Sequence, residues 1–267
     1  MSIRTFKRYE DKFVIDTEQF ESLKERLKDK MELDAFCKNG SYSILNIYFD
    51  RDDNEVIRRS SEKPYYKEKL RLRSYGVPES EDWPVFLELK KKIGGIVNKR
   101  RADMTYGEAK RFIAGGEKPA TSDYMTKQVL CEIEDFMKRH MGRIRPAAFL
   151  CYNRVAMFGK KDSSFRITFD SDIMARRENL SLAAGCRGER LLPAGSFLME
   201  VKFSGAMPLA FAAILSELKI YSRSFSKIGA EYKELTRSRA GSEASEAAGI
   251  KGDVCVLSGW KSGAVLG

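Results

Sequence analysis

The chain has 267 residues, 43% of them hydrophobic and 32% charged, with a formal charge of +10. That balance suits a soluble globular protein with a sizeable core and favours an anionic partner, without choosing among phosphate, nucleic acid and a membrane surface. No apolar run approaches the ~20 residues that cross a bilayer, and the start, MSIRTFKRYEDKF, lacks a signal peptide's apolar stretch, so a cytoplasmic location is expected.

In chain order, a first strand is expected over residues 9–15. A helix opened by Asp16 or Thr17 follows, with Phe20, Leu23, Leu27 and Met31 on one stripe. Residues 41–50 read as a strand and the polar stretch 51–65, with Pro64, as a loop. Two long strands, 67–75 and 85–92, are joined by GVPESED, and a Gly94-Gly95 turn leads to a basic strand over 97–104. Short (106–114) and long (122–140) helices come next, the second with Met125, Val129, Ile133 and Phe136 on its stripe. Pro146 closes a basic connection before strands at 147–158, 165–172 and 196–203, and 176–193 reads as an excursion outside the sheet. Pro208 opens a helix with Leu209, Phe211, Ile214, Leu215 and Leu218 on its stripe, and from 237 onward the Gly, Ala and Ser content suggests a disordered tail. The expected organisation is one domain over 1–236 and a tail over 237–267.

Six of these segments share one pattern. Lys69, Arg71 and Arg73 alternate in KLRLRSY, Glu88 and Lys90 in FLELK, and Tyr152 and Arg154 in CYNRVA. Arg166, Thr168 and Asp170 alternate in FRITFD, Glu200 and Lys202 in FLMEVKF, and Arg8, Glu10 and Lys12 in RYEDKF. Successive side chains of a strand point to opposite faces, so each set shares one face, while residues such as Leu70, Leu72, Leu87 and Leu89 occupy the other. The expected fold is α+β: a mainly antiparallel, strongly curved sheet or barrel, charged inside, with helices packed on the apolar outside. Like charges on neighbouring strands repel, so a bound polyanion is the economical account of so many cations. Arginine forks and lysine point charges both suit phosphate. Candidate inward cations are Lys12, Lys69, Arg71, Arg73, Lys90, Arg154, Arg166 and Lys202. Glu10, Glu88 and Glu200 share those faces, and carboxylates beside phosphates suit a hard cation such as Mg²⁺ or Mn²⁺ between them.

Other chemistries find little support. The only histidine, His140, lies in the basic run MKRHMGRIR and reads as a helix-end surface residue, so histidine-based nucleophilic catalysis is not indicated. The five cysteines form no CxxC pair; Cys131 and Cys151 read as buried thiols. Neither GxGxxG nor a P-loop occurs. Tyr48, Tyr75 and Tyr152 offer platforms for single-stranded nucleic acid, but aromatics are sparse on the charged faces, and nucleic acid is not expected as a partner.

RYEDKF, ILNIYFD, KLRLRSYG, VFLELKKK followed by NKRR, CYNRVA, RITFD, FLMEVKF and SFSKIG occur in an order that resembles the VTC domain. That domain is found in vacuolar transporter chaperones and bacterial polyphosphate polymerases, within the triphosphate tunnel metalloenzyme (CYTH-like) superfamily. The resemblance spans roughly residues 4–236. It implies a triphosphate tunnel of antiparallel strands that binds a triphosphate or polyphosphate with a divalent metal, Mn²⁺ or Mg²⁺. In polymerase members the γ-phosphoryl of ATP is moved onto a growing polyphosphate chain. Carried over by motif, the resemblance implies catalytic roles for Lys12, Arg71, Arg73, Lys90, Arg154, Arg166 and Lys227, and a metal-binding Glu200, joined by Glu10. Lys99 matches the basic strand's lysine. Lys69, Glu88, Lys99, Arg101 and Lys202 are expected around the substrate, though Lys99, Arg100 and Arg101 must straddle both faces. SFSKIGAEY departs from the family pattern in lacking an aromatic and a further basic residue after the SK pair. The expected function is an ATP-dependent polyphosphate polymerase; the alternatives are a triphosphatase on tripolyphosphate or nucleoside triphosphates, and a non-catalytic polyphosphate or inositol-polyphosphate binder. Replacing Arg71 or Arg73 is expected to weaken ligand binding while leaving folding intact or improved.

Overall fold

The alternating segments form one antiparallel sheet. A computed structural model describes residues 8–37, 40–62 and 64–247, and the chain divides into two units, Met1–Glu231 and Tyr232–Gly267. The strands are β1 (Arg8–Ile15), β2 (Met31–Leu33), β3 (Tyr42–Asp50), β4 (Tyr66–Tyr75) and β5 (Pro84–Ile93), then β6 (Ile96–Thr105), β7 (Arg145–Gly159), β8 (Arg166–Arg176), β9 (Glu189–Arg190) and β10 (Phe197–Ser204). Their order is β1-β10-β8-β7-β3-β4-β5-β6, with β2 on β7 and β9 on β8. Hydrogen bonding stops short of closing the sheet: β1 and β6 end the order. The free edge of β1 is covered by the chain around Ser222, which bridges Phe13, and the Arg223 amide donates to the Lys12 carbonyl at 2.7 Å. Even so, charges on β1 act on lysines of β4 and β5, so the sheet is strongly curved. Register shifts at Tyr48/Phe49 and Cys151/Asn153 help to bend it.

The outward faces carry two cores. Leu70, Leu72, Leu87 and Leu89 bury against α3 (Tyr106–Gly115) and α4 (Tyr124–Arg139) through Phe112, Leu130, Ile133 and Phe136. Phe13, Ile167, Phe169, Met199 and Val201 bury against α1 (Thr17–Leu27) and α5 (Leu209–Glu217). Each fully buried side chain of this size contributes about 1.5–3 kcal/mol, so the apolar faces fix which side of every strand turns inward. α1 starts at a capping box, with Asp16 accepting the Gln19 amide at 2.8 Å.

Several expectations change. Met31 is buried but opens β2, because α1 ends at Leu27. The stretch 51–65 contains α2 (Glu55–Ser61), which the Asp50 carboxylate seeds by accepting the Val56 and Ile57 amides at 2.8 and 2.9 Å. Pro146 lies inside β7, beside the Tyr48/Phe49 shift, where a missing N–H is tolerated. The excursion over 176–193 returns to the sheet: Leu182 is fully buried in the core and β9 pairs with β8. Met125, Leu209 and Cys131 are exposed, off the buried stripes of their helices. A further helix, α6 (Lys227–Ala247), continues through 237–247, where the composition suggested a tail. Residues 248–267 lie outside those described. Among the described residues no helix is long and apolar enough to cross a membrane.

Candidate active site

On β4 and β5 the inward residues meet in register, Lys69 opposite Lys90, Arg71 opposite Glu88, and Arg73 opposite Phe86. Arg71 forks onto Glu88 Oε2, with Nε at 2.7 Å and Nη2 at 2.6 Å, and its Nη1 donates to the Tyr48 hydroxyl at 3.3 Å. Glu88 Oε1 accepts from Lys99 Nζ at 3.3 Å and from Arg101 Nε and Nη2 at 2.9 and 2.8 Å. Burial alone would raise the Glu88 carboxyl, but Arg71, Arg73, Lys99 and Arg101 hold it far below the usual carboxylate range. This geometry resolves the basic run of β6: Lys99 and Arg101 share the Glu88 side, while Arg100 pairs with Glu132 of α4 at 3.2 Å. Arg73, 7% exposed, donates to Asn46 Oδ1 at 3.0 Å and to the Tyr152 hydroxyl at 3.3 Å.

A second cluster joins β1, β10, β8, β7 and the start of α6. Arg154 forks onto Asp170 at 2.6 and 2.7 Å, and Lys227 Nζ reaches Asp170 Oδ2 at 2.6 Å and Glu200 Oε1 at 3.1 Å. Lys12 lies 3.3 Å from Glu200 and 3.2 Å from Glu10, and Lys202 lies 3.6 Å from Glu10. Burial opposes charge on Glu200 and on Lys227, yet the pairing wins. Glu200 is held well below the carboxylate range by Lys227, Lys12 and Arg154, and Lys227 is held above the usual lysine value by Asp170 and Glu200. Lys227 and Arg154 also stand over the Tyr152 ring, at 4.7 and 5.2 Å. Asp170, fully buried, escaped the residue-by-residue reading of function although its alternation with Arg166 and Thr168 was visible.

Lys69 and Lys90 differ from the rest: among the described residues neither has an ion-pair or side-chain hydrogen-bond partner, whereas Arg73, also without an ion pair, is held by Asn46 and Tyr152. Burial, opposed by Tyr48 and reinforced by Lys67, Lys90 and Lys12, pushes the Lys69 ammonium down to about 8. Lys90 is displaced the same way, by desolvation first, against the pull of Glu10 and with Arg71 and Lys12 adding. Arg166 reaches Asp34 at 3.5 Å, and its Nε, like the hydroxyl of the buried Thr168 opposite Glu200, is buried without a hydrogen-bond partner. The inward face is not charged throughout. Ile44, Tyr152 and Leu198 cluster with Val14, Tyr42, Leu191, Leu192 and Phe225, an apolar patch that alternating charges elsewhere gave no sign of.

The resemblance implies a divalent cation. Among the described residues no group of three or more His, Cys, Asp or Glu side chains is placed to hold a metal. Glu10 and Glu200 lie diagonally across β1 and β10, near enough for the charge of Glu200 to act on Glu10. Two carboxylates fit a hard cation that completes its shell with phosphate oxygens and water, as Mg²⁺ does.

Fold and site define an α+β protein that gathers its charge on the inward face of one curved antiparallel sheet. The VTC domain model matches residues 7–236, and the chain belongs to that family. No curated protein matches the chain. Among solved structures, a provisionally named adenylate cyclase of Bacillus halodurans is 15% identical over 81% of this chain and 92% of its own, with a TM-score of 0.49. A Pyrococcus horikoshii protein is 13% identical (85% and 99% covered, TM-score 0.42). The Mimivirus capping enzyme triphosphatase is 11% identical (78% and 88% covered, TM-score 0.32).

Proposed function

We propose that the protein is a metal-dependent polyphosphate polymerase that moves the γ-phosphoryl of ATP onto a growing polyphosphate chain. The observation that carries this reading is the VTC family match over residues 7–236, on a site where Lys69 lies opposite Lys90 and neither has an ion-pair partner among the described residues. Lys69, Arg71 and Arg73 line one stretch of β4 with alternate residues ~6.6–6.8 Å apart, and Lys90 stands beside Lys69 on β5, so together they grip neighbouring phosphoryl groups rather than one. Arg154, Arg166, Lys12 and Lys202 supply charge from the facing strands, and Lys227 from the start of α6. A divalent cation held by Glu200 and Glu10 would neutralise charge on the phosphoryl oxygens. The acceptor is a terminal phosphate, already an anion and a nucleophile, so no general base is required. That agrees with His140 capping the far end of α4. What the chain's residues contribute is alignment of donor and acceptor and stabilisation of the charge that spreads over the transferring group.

The test is incubation of purified protein with ATP and Mn²⁺ or Mg²⁺ and resolution of the products on a gel. A ladder of polyphosphate with matching ADP supports the polymerase. Orthophosphate without a ladder supports a triphosphatase, the reading that the apolar patch around Ile44 and Leu198 favours, since it shortens the cationic run. Tight binding of polyphosphate with no nucleotide turnover supports a binding module.

A further inference from the structure

Cys151 and Cys186 take no part in the chemistry above. Cys151, on the outward face of β7, is fully buried in the core that includes Leu182, with Met174 and Leu180 packed against it. Cys186 is exposed, in the segment between a short 3-10 turn at Leu182–Ala184 and β9. That segment is fastened to β8. Arg176 Nη1 donates to the carbonyls on either side of Cys186, Gly185 at 2.9 Å and Arg187 at 2.8 Å, and its Nη2 donates to Ser181 at 3.0 Å. The Arg176 guanidinium itself lies over the Phe149 ring at 3.5 Å. Gly188, at φ +146°, comes so near that an added Cβ would meet the Ala175 carbonyl oxygen at 2.2 Å, so only glycine fits. Met174 then pairs on one side with Cys151 and on the other with Arg190. The result is an interaction between the two thiols, brought to the same side of β8 by the Arg176 clamp and the Gly188 approach. It keeps Cys151 protonated, burial adding to the effect, and lowers Cys186 against its desolvation, with Arg176 assisting.

The other described cysteines lack this arrangement. Cys37 is buried and bonded to the Ala156 amide, and exposed Cys131 faces Lys118 at 3.6 Å.

We propose that Cys151 and Cys186 form a redox-active dithiol, a modification site where a hydroperoxide is reduced and a reversible disulfide ties the segment over 177–188 to β7. The accessible Cys186 thiolate attacks a peroxide oxygen; the O–O bond breaks, the leaving oxygen takes a proton, and Cys186 becomes a sulfenic acid. The Cys151 sulfur then attacks the Cys186 sulfur, an S–S bond forms, the S–O bond breaks, and the departing hydroxide leaves as water with the Cys151 proton. The two thiols lose two electrons, and hydrogen peroxide ends as two waters.

The experiment treats the purified full chain with hydrogen peroxide, blocks remaining thiols and maps unreduced peptides by mass spectrometry. The expected product joins the Cys151 and Cys186 peptides, with the mass lower by two hydrogens, and dithiothreitol separates them. Before oxidation, Cys186 is alkylated at least about tenfold faster than Cys151, as its exposure and readier ionisation require. Cys186→Ser leaves Cys151 reduced. Cys151→Ser stops at a sulfenic acid on Cys186 that dimedone traps; should that variant fail to fold, the wild-type map and Cys186→Ser decide the matter. The proposal is overturned if Cys186 proceeds to sulfinic acid while Cys151 stays reduced, or if it pairs instead with Cys131, Cys255 or a second copy of the chain.

Discussion

Around Asp170 and Glu200, Lys12, Arg154 and Lys227 each have a carboxylate within 3.3 Å, and the carboxylates are nearly or fully buried. A few strands away, Lys69 faces Lys90 in register, and neither has an ion-pair partner among the described residues. The same alternation of charge along a strand therefore yields two different things. The first cluster is a fixed frame whose charges are balanced from within, because removing one partner leaves the other buried and unpaired. The second is a stretch whose charge calls for a ligand.

The largest effect should come from breaking the balanced cluster. Asp170→Ala strips Arg154 and Lys227 of their shared carboxylate and should cost ~3–5 kcal/mol in a urea unfolding experiment. A loss below about 1 kcal/mol, the range of exposed pairs, would mean the cluster is solvated rather than buried. Next are the outward leucines. Leu72→Ala or Leu87→Ala should destabilise by ~2–5 kcal/mol as core truncations, with tripolyphosphate affinity per folded molecule unchanged. Harmless leucine variants would mean the strand faces are inverted.

Arg71 and Arg73 lie between the two extremes. Each alanine variant should lose ~1.5–3 kcal/mol of tripolyphosphate binding through its charge-assisted bonds, more than tenfold by calorimetry. The alternation alone suggested that folding would be unharmed or improved. The hydrogen bonds of Arg73 to the buried Asn46 and Tyr152 point the other way, and Arg73→Ala should cost ~1–3 kcal/mol of stability by leaving those groups unsatisfied.

The smallest effect is a pH dependence. Between about 8, the Lys69 value in the folded protein, and its ordinary 10.5, the unfolded chain binds more protons, so Lys69 makes stability rise with pH across that window. Phosphate beside Lys69 draws the proton back. At about pH 9, tripolyphosphate binding should therefore take up protons, visible as a heat that depends on the buffer's ionisation enthalpy. The Lys69→Ala variant should show less uptake; unchanged uptake would assign it elsewhere.

The strand faces were legible because alternation survives in sequence: the Leu70/Arg71/Leu72/Arg73 run is a direct record of outside and inside. What was not legible depends on long-range partners. Asp170 matters because Lys227, far along the chain, reaches it from the start of α6. Lys99 and Arg101 separate from Arg100 only through their pairing with Glu88. α2 was hidden in a polar stretch because its cap is Asp50, a residue of the preceding strand, rather than a residue at its own start. α6 was hidden by a Ser-, Gly- and Ala-rich composition without a clear apolar stripe. The apolar inward patch was missed because Leu191, Leu192 and Phe225 reach it from connecting segments.

The most direct test of the unbalanced stretch is calorimetric titration of tripolyphosphate into wild type and into a Lys69→Ala, Lys90→Ala double variant at neutral pH. The account predicts that the double variant folds with at least wild-type stability, because two unpaired cations no longer repel, and loses more than about tenfold in affinity, the scale of a single charge-assisted contact. Equal affinity in a folded double variant would contradict it, and would leave Lys69 and Lys90 as solvated lysines of an ordinary charged sheet.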